Sequence, residues 1–407
     1  MRTIKTIIIL VMTLSGLLMV VSAPAQDNNV EQIKEWRQKA KSGDAKAQYQ
    51  LGVAYDFGNG VKLDDREAVK WYIQAAEQGH ALAQNDLAAM YEQGEGTQKN
   101  LTLALKWFKV SADQGHSTAQ NNLGHMYEYA KGLKQDMTKA VEFYELAAGQ
   151  NYADAQFRLG YIYDTGEHLK EDNQKAVKYY QAAAEQGHSV AQNNLGLMYE
   201  DGEGVAKDLN KARKWYQRSA DQEYEIGQYN LGTLYEFGEG VEKNVLKAME
   251  YYRLSAQQDY AYAQFRLGYL HDMGAEIEED NEKALIWYKK AADLGDADAI
   301  FNLGIMYDEA DGVKEDNERA VQLYARAAKL GSADAQNNLG YMYLNGEGTK
   351  RDAFQAYLWF LIAHDQGFED AKKNVKIAKV FLSRKKEKQA EKLAEICMKS
   401  NYERCED

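Results

Sequence analysis

A repeat of 36 residues constrains the fold of this chain more than any other feature of its sequence. The repeat runs without insertion or deletion from Ala45 to Phe368, which makes nine copies. One column is alanine in every copy, from Ala68 to Ala356 in steps of 36. Another column is leucine in every copy, at Leu51, Leu87, Leu123, Leu159, Leu195, Leu231, Leu267, Leu303 and Leu339. Side chains that do not change between copies are expected to pack between neighbouring units, so the period predicts a stack of nine similar units.

Each unit has the sequence pattern of two helices joined by a turn. In the fifth copy, Ala191–Glu200 places Ala, Leu, Gly, Met and Tyr at helical spacing. Gly202 and Gly204 follow, and glycine ends helices because it adopts left-handed backbone angles at little cost. Asp208 belongs to a column that is Asp or Asn in every copy, which is the preference of a helix N-cap. A second helix is therefore predicted over 211–222.

Proline is almost absent from the chain, since the only one is Pro24. Proline is the residue that most strongly interrupts helices, so helices can follow one another through all nine copies. Each helical hairpin has an apolar edge that it can bury only against the next hairpin. The sequence therefore predicts an all-α fold, a right-handed α-solenoid (superhelix) of helix-turn-helix repeats.

The period also divides the chain into predicted domains. Residues 1–25 are predicted to be a signal peptide and residues 26–44 an N-terminal capping helix. Residues 369–407 are predicted to form a C-terminal half-repeat and a capping helix. The nine repeats between these segments are 45–80, 81–116, 117–152, 153–188, 189–224, 225–260, 261–296, 297–332 and 333–368.

The pattern shared by the copies is A-x-A-Q-x-x-L-G-x-x-Y-x-x-G-x-G-V-x-x-D-x-x-K-A-x-x-W-Y-x-x-A-A-x-Q-G. This pattern resembles the Sel-one-like repeat (SLR), a relative of the tetratricopeptide repeat. The resemblance covers all nine copies and implies an adaptor that holds other proteins in a superhelical groove. Exported bacterial members of the family resemble regulators of envelope signalling or factors in host interaction.

The N-terminus has the order of residues found in secretory signals. Arg2 and Lys5 precede an apolar run over 7–21, and Ala23 and Ala25 follow before a polar stretch. Cleavage is expected after Ala25, which would release the protein to the periplasm or the medium. An uncleaved membrane anchor is the alternative, although the run is shorter than the ~20 residues of a spanning helix.

The net charge limits the kinds of partner that the chain can bind. It is −13 at neutral pH, and loss of Arg2 and Lys5 would make it more negative. An acidic surface repels phosphate backbones and anionic lipids, so neither nucleic acid nor membrane is an expected partner. A basic segment over 372–392 is the exception and is interpreted as the solvated face of a terminal helix. The expected partner is a protein or peptide, and a monomer is favoured.

Two cysteines, Cys397 and Cys405, lie close together near the C-terminus. In an oxidising compartment such a pair is predicted to form a disulfide. Metal binding is not expected. His80, His116 and His188 share one column, but repeats about 10 Å apart cannot bring them to one ion with bonds of about 2 Å.

A candidate binding stripe follows the variable columns of the first helix. The columns of Val190, Asn193, Leu197 and Asp201 have a spacing that keeps them on one side of the helix. Two copies place aromatic pairs and arginine there, and these residue types anchor many interfaces. The candidate residues are Phe157, Arg158, Tyr161, Phe265, Arg266 and Tyr269. The alternative is that these side chains only pack on the neighbouring helix.

A column of asparagines is the second candidate feature. Its members are Asn122, Asn194, Asn230, Asn302 and Asn338. Asparagine inside a helix costs about 0.5 kcal/mol relative to alanine, so its recurrence calls for a reason. The amides could hold the backbone of an extended peptide, or they could form a structural hydrogen bond to the next hairpin.

No enzyme motif emerges from the sequence. Ser383 to Lys386 matches S-x-x-K, but the partner motifs S-D-N and K-T-G are missing. The sequence therefore predicts a non-catalytic scaffold or adaptor of the bacterial envelope that needs no cofactor. The alternative is a role at the cell wall, either as a β-lactamase-like hydrolase or as a regulator that binds a peptidoglycan enzyme or a polysaccharide.

Overall fold

The computed structural model of the protein describes residues 26–405 apart from residues 168 and 275. The predicted signal peptide lies outside these described residues. Within them the chain forms 21 α-helices and no strand. None of these helices is both long enough and apolar enough to cross a membrane.

The helices fall into two compact units that meet between Ala155 and Gln156. Unit 1 contains α1 (Gln26–Lys41), α2 (Ala45–Phe57), α3 (Asp65–Glu77), α4 (Ala81–Gln93), α5 (Leu101–Asp113), α6 (Ser117–Glu128) and α7 (Met137–Gly149). The boundary runs through α8 (Ala153–Thr165). Unit 2 contains α9 (Asn173–Glu185), α10 (Ser189–Asp201), α11 (Leu209–Ala220), α12 (Glu225–Phe237), α13 (Val245–Ala256), α14 (Ala261–Met273), α15 (Asn281–Asp293), α16 (Ala297–Glu309), α17 (Asn317–Lys329), α18 (Ala333–Asn345), α19 (Ala353–Asp365), α20 (Glu369–Lys379) and α21 (Arg384–Lys399).

The repeat forms a helical hairpin with the caps that its sequence predicts. The first helix of the fifth copy, α10, ends at Gly202, whose φ of 79° is left-handed. Asp208 precedes the second helix, α11, and its carboxylate accepts a hydrogen bond from the backbone N–H of Lys211 at 3.0 Å. Consecutive helices pack against each other along both units. The predicted all-α solenoid of helix-turn-helix repeats is confirmed.

A glycine and a tyrosine hold the two helices of a hairpin together. The ring of Tyr216 on α11 is fully buried and lies against Gly196 on α10. Its hydroxyl donates a hydrogen bond of 2.5 Å to Glu200 at the end of α10. The same contact recurs elsewhere, as between Tyr288 and Gly268. Glycine allows the close approach because a Cβ atom there would collide with the ring.

Glutamine side chains join successive repeats. Gln192 donates a hydrogen bond of 3.0 Å to the carbonyl oxygen of Ala184 in the preceding repeat. Its own oxygen accepts from Gln222 at 2.6 Å. The glutamine pair recurs in both units. The eighth repeat has the apolar residues Ile300 and Leu330 at these two positions.

The seventh repeat has changed only one member of this pair. Gln264 retains its amide, but Leu294 occupies the position of its partner, and the buried Gln264 Oε1 atom has no hydrogen-bond partner. We expect Leu294→Gln to raise the free energy of unfolding by about 1 kcal/mol, because it supplies the missing donor. Urea denaturation followed by circular dichroism measures the change. Leu330→Gln is the matched control and should give no gain, since Ile300 offers no acceptor; equal gains in the two variants would refute the explanation.

The C-terminus closes with two helices and a covalent link. Helices α20 and α21 both pack against α19. The Sγ atoms of Cys397, in the last turn of α21, and Cys405 are bonded in a disulfide, and both residues are buried. The link therefore ties the chain end to the last helix.

Candidate protein-binding face

The first helices of the repeats form one side of unit 2. Besides the contacts between helices that follow each other in the chain, the first helices of successive repeats contact each other. Examples are α10 with α12 and α14 with α16. In a curved stack the helices of the inner side lie closest together, so we expect this side to be the inner one. We call the side chains that the first helices α8 (from Gln156), α10, α12, α14, α16 and α18 present there the inner face.

An arginine on α14 forms the most connected group of the inner face. Arg266 makes an ion pair with Glu236 at the end of α12, whose side chain is only 7% exposed. Glu236 also accepts a hydrogen bond of 2.6 Å from the hydroxyl of Tyr252. The guanidinium carbon of Arg266 lies 4.9 Å from the ring centre of Tyr269 and 5.6 Å from that of Phe237, which is mostly exposed. We call these five residues the arginine cluster.

Burial and the Glu236 carboxylate have opposite effects on the pKa of Arg266. Burial lowers the pKa of Arg266, but the attraction of Glu236 outweighs it, so the pKa of this guanidinium lies above its usual value. Burial and the same carboxylate raise the pKa of the Tyr252 hydroxyl. Arg266 therefore stays charged at neutral pH, and its guanidinium lies beside two aromatic rings.

Three tyrosines form a second group beside the arginine cluster. Tyr229 on α12 lies 5.3 Å from Tyr260 and 6.4 Å from Tyr262, measured between ring centres. Tyr260 and Tyr262 are 5.5 Å apart. Tyr262 is 41% exposed. We call these residues the tyrosine cluster, and Tyr262 is its exposed member.

The fourth repeat contains the other predicted aromatic pair, and its two rings have different environments. Phe157 is only 7% exposed, and its ring stacks on His188 at 4.5 Å and lies 6.0 Å from Tyr180. It therefore belongs to the packing between helices. Tyr161, one turn later, is half-buried, and the guanidinium carbon of Arg158 lies 5.1 Å from its ring centre.

Phe265, the equivalent of Phe157 in the seventh repeat, is half-buried. Its ring lies 5.9 Å from Tyr288 and 6.2 Å from Tyr269. Of the six predicted aromatic and arginine positions, only Phe157 is buried, and the other five are half-buried.

The asparagine column makes contacts within the protein. Asn122 donates to Asn85 at 3.2 Å, and Asn230 donates to Asn193 at 2.8 Å, each to the preceding repeat. Asn194 accepts a hydrogen bond of 3.3 Å from its neighbour Asn193. Asn302 and Asn338 are half-buried. The bonds of Asn122 and Asn230 to the preceding repeat are of the kind that the structural alternative expects.

Two features of this face escaped the sequence analysis. The first is the tyrosine cluster, whose members Tyr229, Tyr260 and Tyr262 belong to three different repeat columns. The sequence could have revealed it, because tyrosine occupies all three columns only at the junction of α12 and α14. Glu236 is the second feature, and the sequence analysis does not single it out. Its signal is an acidic residue 30 positions before Arg266, which the repeat places beside it.

Three residues that resemble metal-binding or catalytic groups, His80, His188 and Ser383, cap helices. Nδ1 of His80 and of His188 accepts a hydrogen bond from the backbone N–H at the start of a first helix. The Ser383 hydroxyl accepts from the backbone N–H of Lys386 and so caps α21. Among the described residues, no three His, Cys, Asp or Glu side chains are grouped to hold a metal ion.

Comparison with known proteins identifies the repeat. The family model described as the Sel1 repeat, another name for the Sel-one-like repeat, matches nine segments: 45–80, 81–116, 117–152, 153–188, 189–224, 226–260, 261–296, 297–332 and 333–368. No curated protein matches the chain.

Two solved structures are similar over most of their length. One is a protective antigen present in uropathogenic Escherichia coli strains and displays an SLR fold; it is 32% identical, with 91% of this chain and 88% of that chain covered and a TM-score of 0.61. The other is a Sel1 repeat protein from Oxalobacter formigenes, which is 31% identical, with 76% of this chain and 90% of that chain covered and a TM-score of 0.60.

Proposed function

The chain belongs to the Sel1 repeat family, whose members are generally non-catalytic scaffolds for protein interaction, and we propose that it binds a segment of a partner protein along the inner face of unit 2. The observation that carries the proposal is the concentration of tyrosine and arginine at the junction of α12 and α14. Such residues supply large contact area at a low cost in conformational entropy, and they dominate the binding energy of many interfaces.

The contacts of these side chains suggest which of them reach a partner. Tyr161, Tyr262 and Tyr269 keep part of their surface exposed and carry hydroxyls that can hydrogen-bond a partner, whereas Phe157 is buried and the half-buried Phe265 has no polar group. Arg158 and Arg266 are held beside tyrosine rings, so little side-chain freedom remains to be lost on binding. We therefore assign the anchoring role to the three tyrosines and a supporting role to the two arginines.

We further propose that the protein works outside the cytosol, in the periplasm or after secretion. The predicted cleavage after Ala25 and the disulfide between Cys397 and Cys405 support this location. The similar E. coli protein is a protective antigen, which favours a role in host interaction or envelope signalling for this chain as well.

A cross-linked pull-down from intact cells tests the binding face. We expect the variant Tyr161→Ser/Tyr262→Ser/Tyr269→Ser to capture at least tenfold less of a specific partner than the wild type captures. The matched control replaces three exposed apolar residues of second helices, Leu246→Ser/Leu254→Ser/Ile286→Ser, and should keep that partner. Circular dichroism verifies that both variants fold.

The outcomes separate the proposal from its alternatives. Equal capture by the tyrosine variant and the wild type would show that the inner face is not the binding surface. Capture of polysaccharide fragments by the wild type, with loss in the tyrosine variant, would support the cell-wall alternative. Hydrolysis of a β-lactam by the purified protein would support the enzyme alternative.

A further inference from the structure

The turn between α20 and α21 exposes two neighbouring apolar side chains. Val380 is 80% exposed and Phe381 is 54% exposed, although both follow directly on a packed helix. Backbone hydrogen bonds from Val380 to Ile377 and from Phe381 to Ala378 hold the turn. Arg351, from the loop before α19, lies with its guanidinium carbon 4.8 Å from the Phe381 ring centre. The side chains therefore protrude from an ordered turn, which we call the tip.

Basic side chains surround the tip on both helices. Residues 372–392 contain nine lysines and arginines but only two acidic residues, Glu387 and Glu391. The nine basic side chains are all exposed: Lys372, Lys373, Lys376, Lys379, Arg384, Lys385, Lys386, Lys388 and Lys392. One ion pair forms among them, between Lys379 and Glu387 at 2.6 Å. The tip is therefore a small apolar patch within a strongly positive rim.

Stability alone does not account for this charge distribution. Arg384, Lys385 and Lys386 occupy the first turn of α21, where the helix macrodipole disfavours positive charge. Each cation there costs stability, and exposed Val380 and Phe381 contribute little burial. Residues that oppose the stability of their own helix are expected where another role requires them.

The negative charge of the rest of the chain does not cancel the positive rim. The nearest acidic residues before the tip on α20 are Glu369 and Asp370, which lie about 15 Å away at ~1.5 Å of rise per residue. The screening length at physiological salt is about 8 Å. Closer to the tip, Asp352, Glu387 and Glu391 are outnumbered by Arg351 and the nine basic side chains of the rim, so an anionic surface that touches the tip is attracted more strongly than it is repelled.

We propose that the tip binds the surface of lipid bilayers that contain anionic headgroups. The phosphate groups of the lipids would face the lysines and arginines, while Val380 and Phe381 enter the interfacial region. A protruding apolar pair needs a matching pocket in order to bury itself in a protein, but a bilayer interface accepts it without one. The expectation of no membrane contact, which rests on net charge, thus applies to the acidic body and not to the tip.

Vesicle sedimentation tests the tip directly. The protein is expressed from its full sequence, and all variants have the same N-terminus. Any contribution of the N-terminus to vesicle binding is therefore the same in all of them. We expect the wild type to bind vesicles of phosphatidylcholine mixed with phosphatidylglycerol at least a hundredfold more tightly than vesicles of phosphatidylcholine alone, because each cation near an anionic surface strengthens binding about fivefold. Lys385→Gln/Lys386→Gln should therefore weaken binding to the mixed vesicles about twenty-five-fold.

The apolar and basic contributions have matched controls. Val380→Ser/Phe381→Ser should also weaken binding, whereas Leu246→Ser, at another exposed apolar residue, should not. Lys62→Gln/Lys99→Gln removes the same charge from exposed lysines of unit 1 and should leave binding unchanged. Equal binding to both kinds of vesicle, or equal effects of the tip and control variants, would overturn the proposal. The inner face is intact in all of these variants, so the result does not depend on the proposed function.

Discussion

Replacing Arg266 by methionine is expected to lower the free energy of unfolding by about 3–5 kcal/mol, because it leaves a buried carboxylate without its cation. Glu236 has only a 7% exposed side chain and would keep one donor, the hydroxyl of Tyr252. Methionine preserves much of the arginine volume, so the loss reports on charge rather than on a cavity. Urea denaturation followed by circular dichroism measures it.

A double variant separates the ion pair from the rest of the packing. Arg266→Met/Glu236→Gln removes both charges while the glutamine oxygen still accepts from Tyr252, so its stability should return to within about 1 kcal/mol of the wild type. If the double variant is as unstable as Arg266→Met, the ion pair is not the cause. The double variant also removes the cation beside Tyr269 without unfolding the repeat, which makes it a second probe of partner binding.

The second large effect is expected at a glycine between paired helices. A Cβ atom at Gly196 would lie 2.5 Å from the Cε1 atom of the buried Tyr216 ring. Gly196→Ala should therefore lower the free energy of unfolding by about 2–3 kcal/mol, through overpacking, although alanine favours helices. Gly149→Ala is the matched control. It too is a helical glycine, but a Cβ atom there meets nothing within 4 Å, so a gain of up to about 1 kcal/mol is expected.

The second repeat suggests how Gly196→Ala can be rescued. It has Ala88 at the glycine position and faces Phe108, which lacks the hydroxyl that anchors Tyr216 to Glu200. Gly196→Ala/Tyr216→Phe should therefore recover part of the lost stability, because the ring is free to move away from the new methyl group. A denaturation midpoint no higher than that of Gly196→Ala would show that the hydroxyl does not restrain the ring.

The repeat columns predicted the fold well because each column records one contact nine times. Constant leucine and alanine indicate packing, Asp208 and its equivalents indicate caps, and glycine indicates helix ends. Variable columns carry less information. Phe157 and Tyr161 are one helical turn apart, and the sequence treats them alike, yet the first is buried and the second is half-buried.

The sequence by itself determined the helices, their order and their pairing, because these depend on local spacing and on the 36-residue period. Only the tertiary structure decided which side chains of the variable columns face a neighbour and which face a partner. That choice depends on the rotation between successive hairpins, which brings Asn230 onto Asn193 and Arg266 onto Glu236. The same is true of the tip. Nothing in the order of residues near Val380 and Phe381 states that they stay exposed; they do so because α20 and α21 bury other faces against α19.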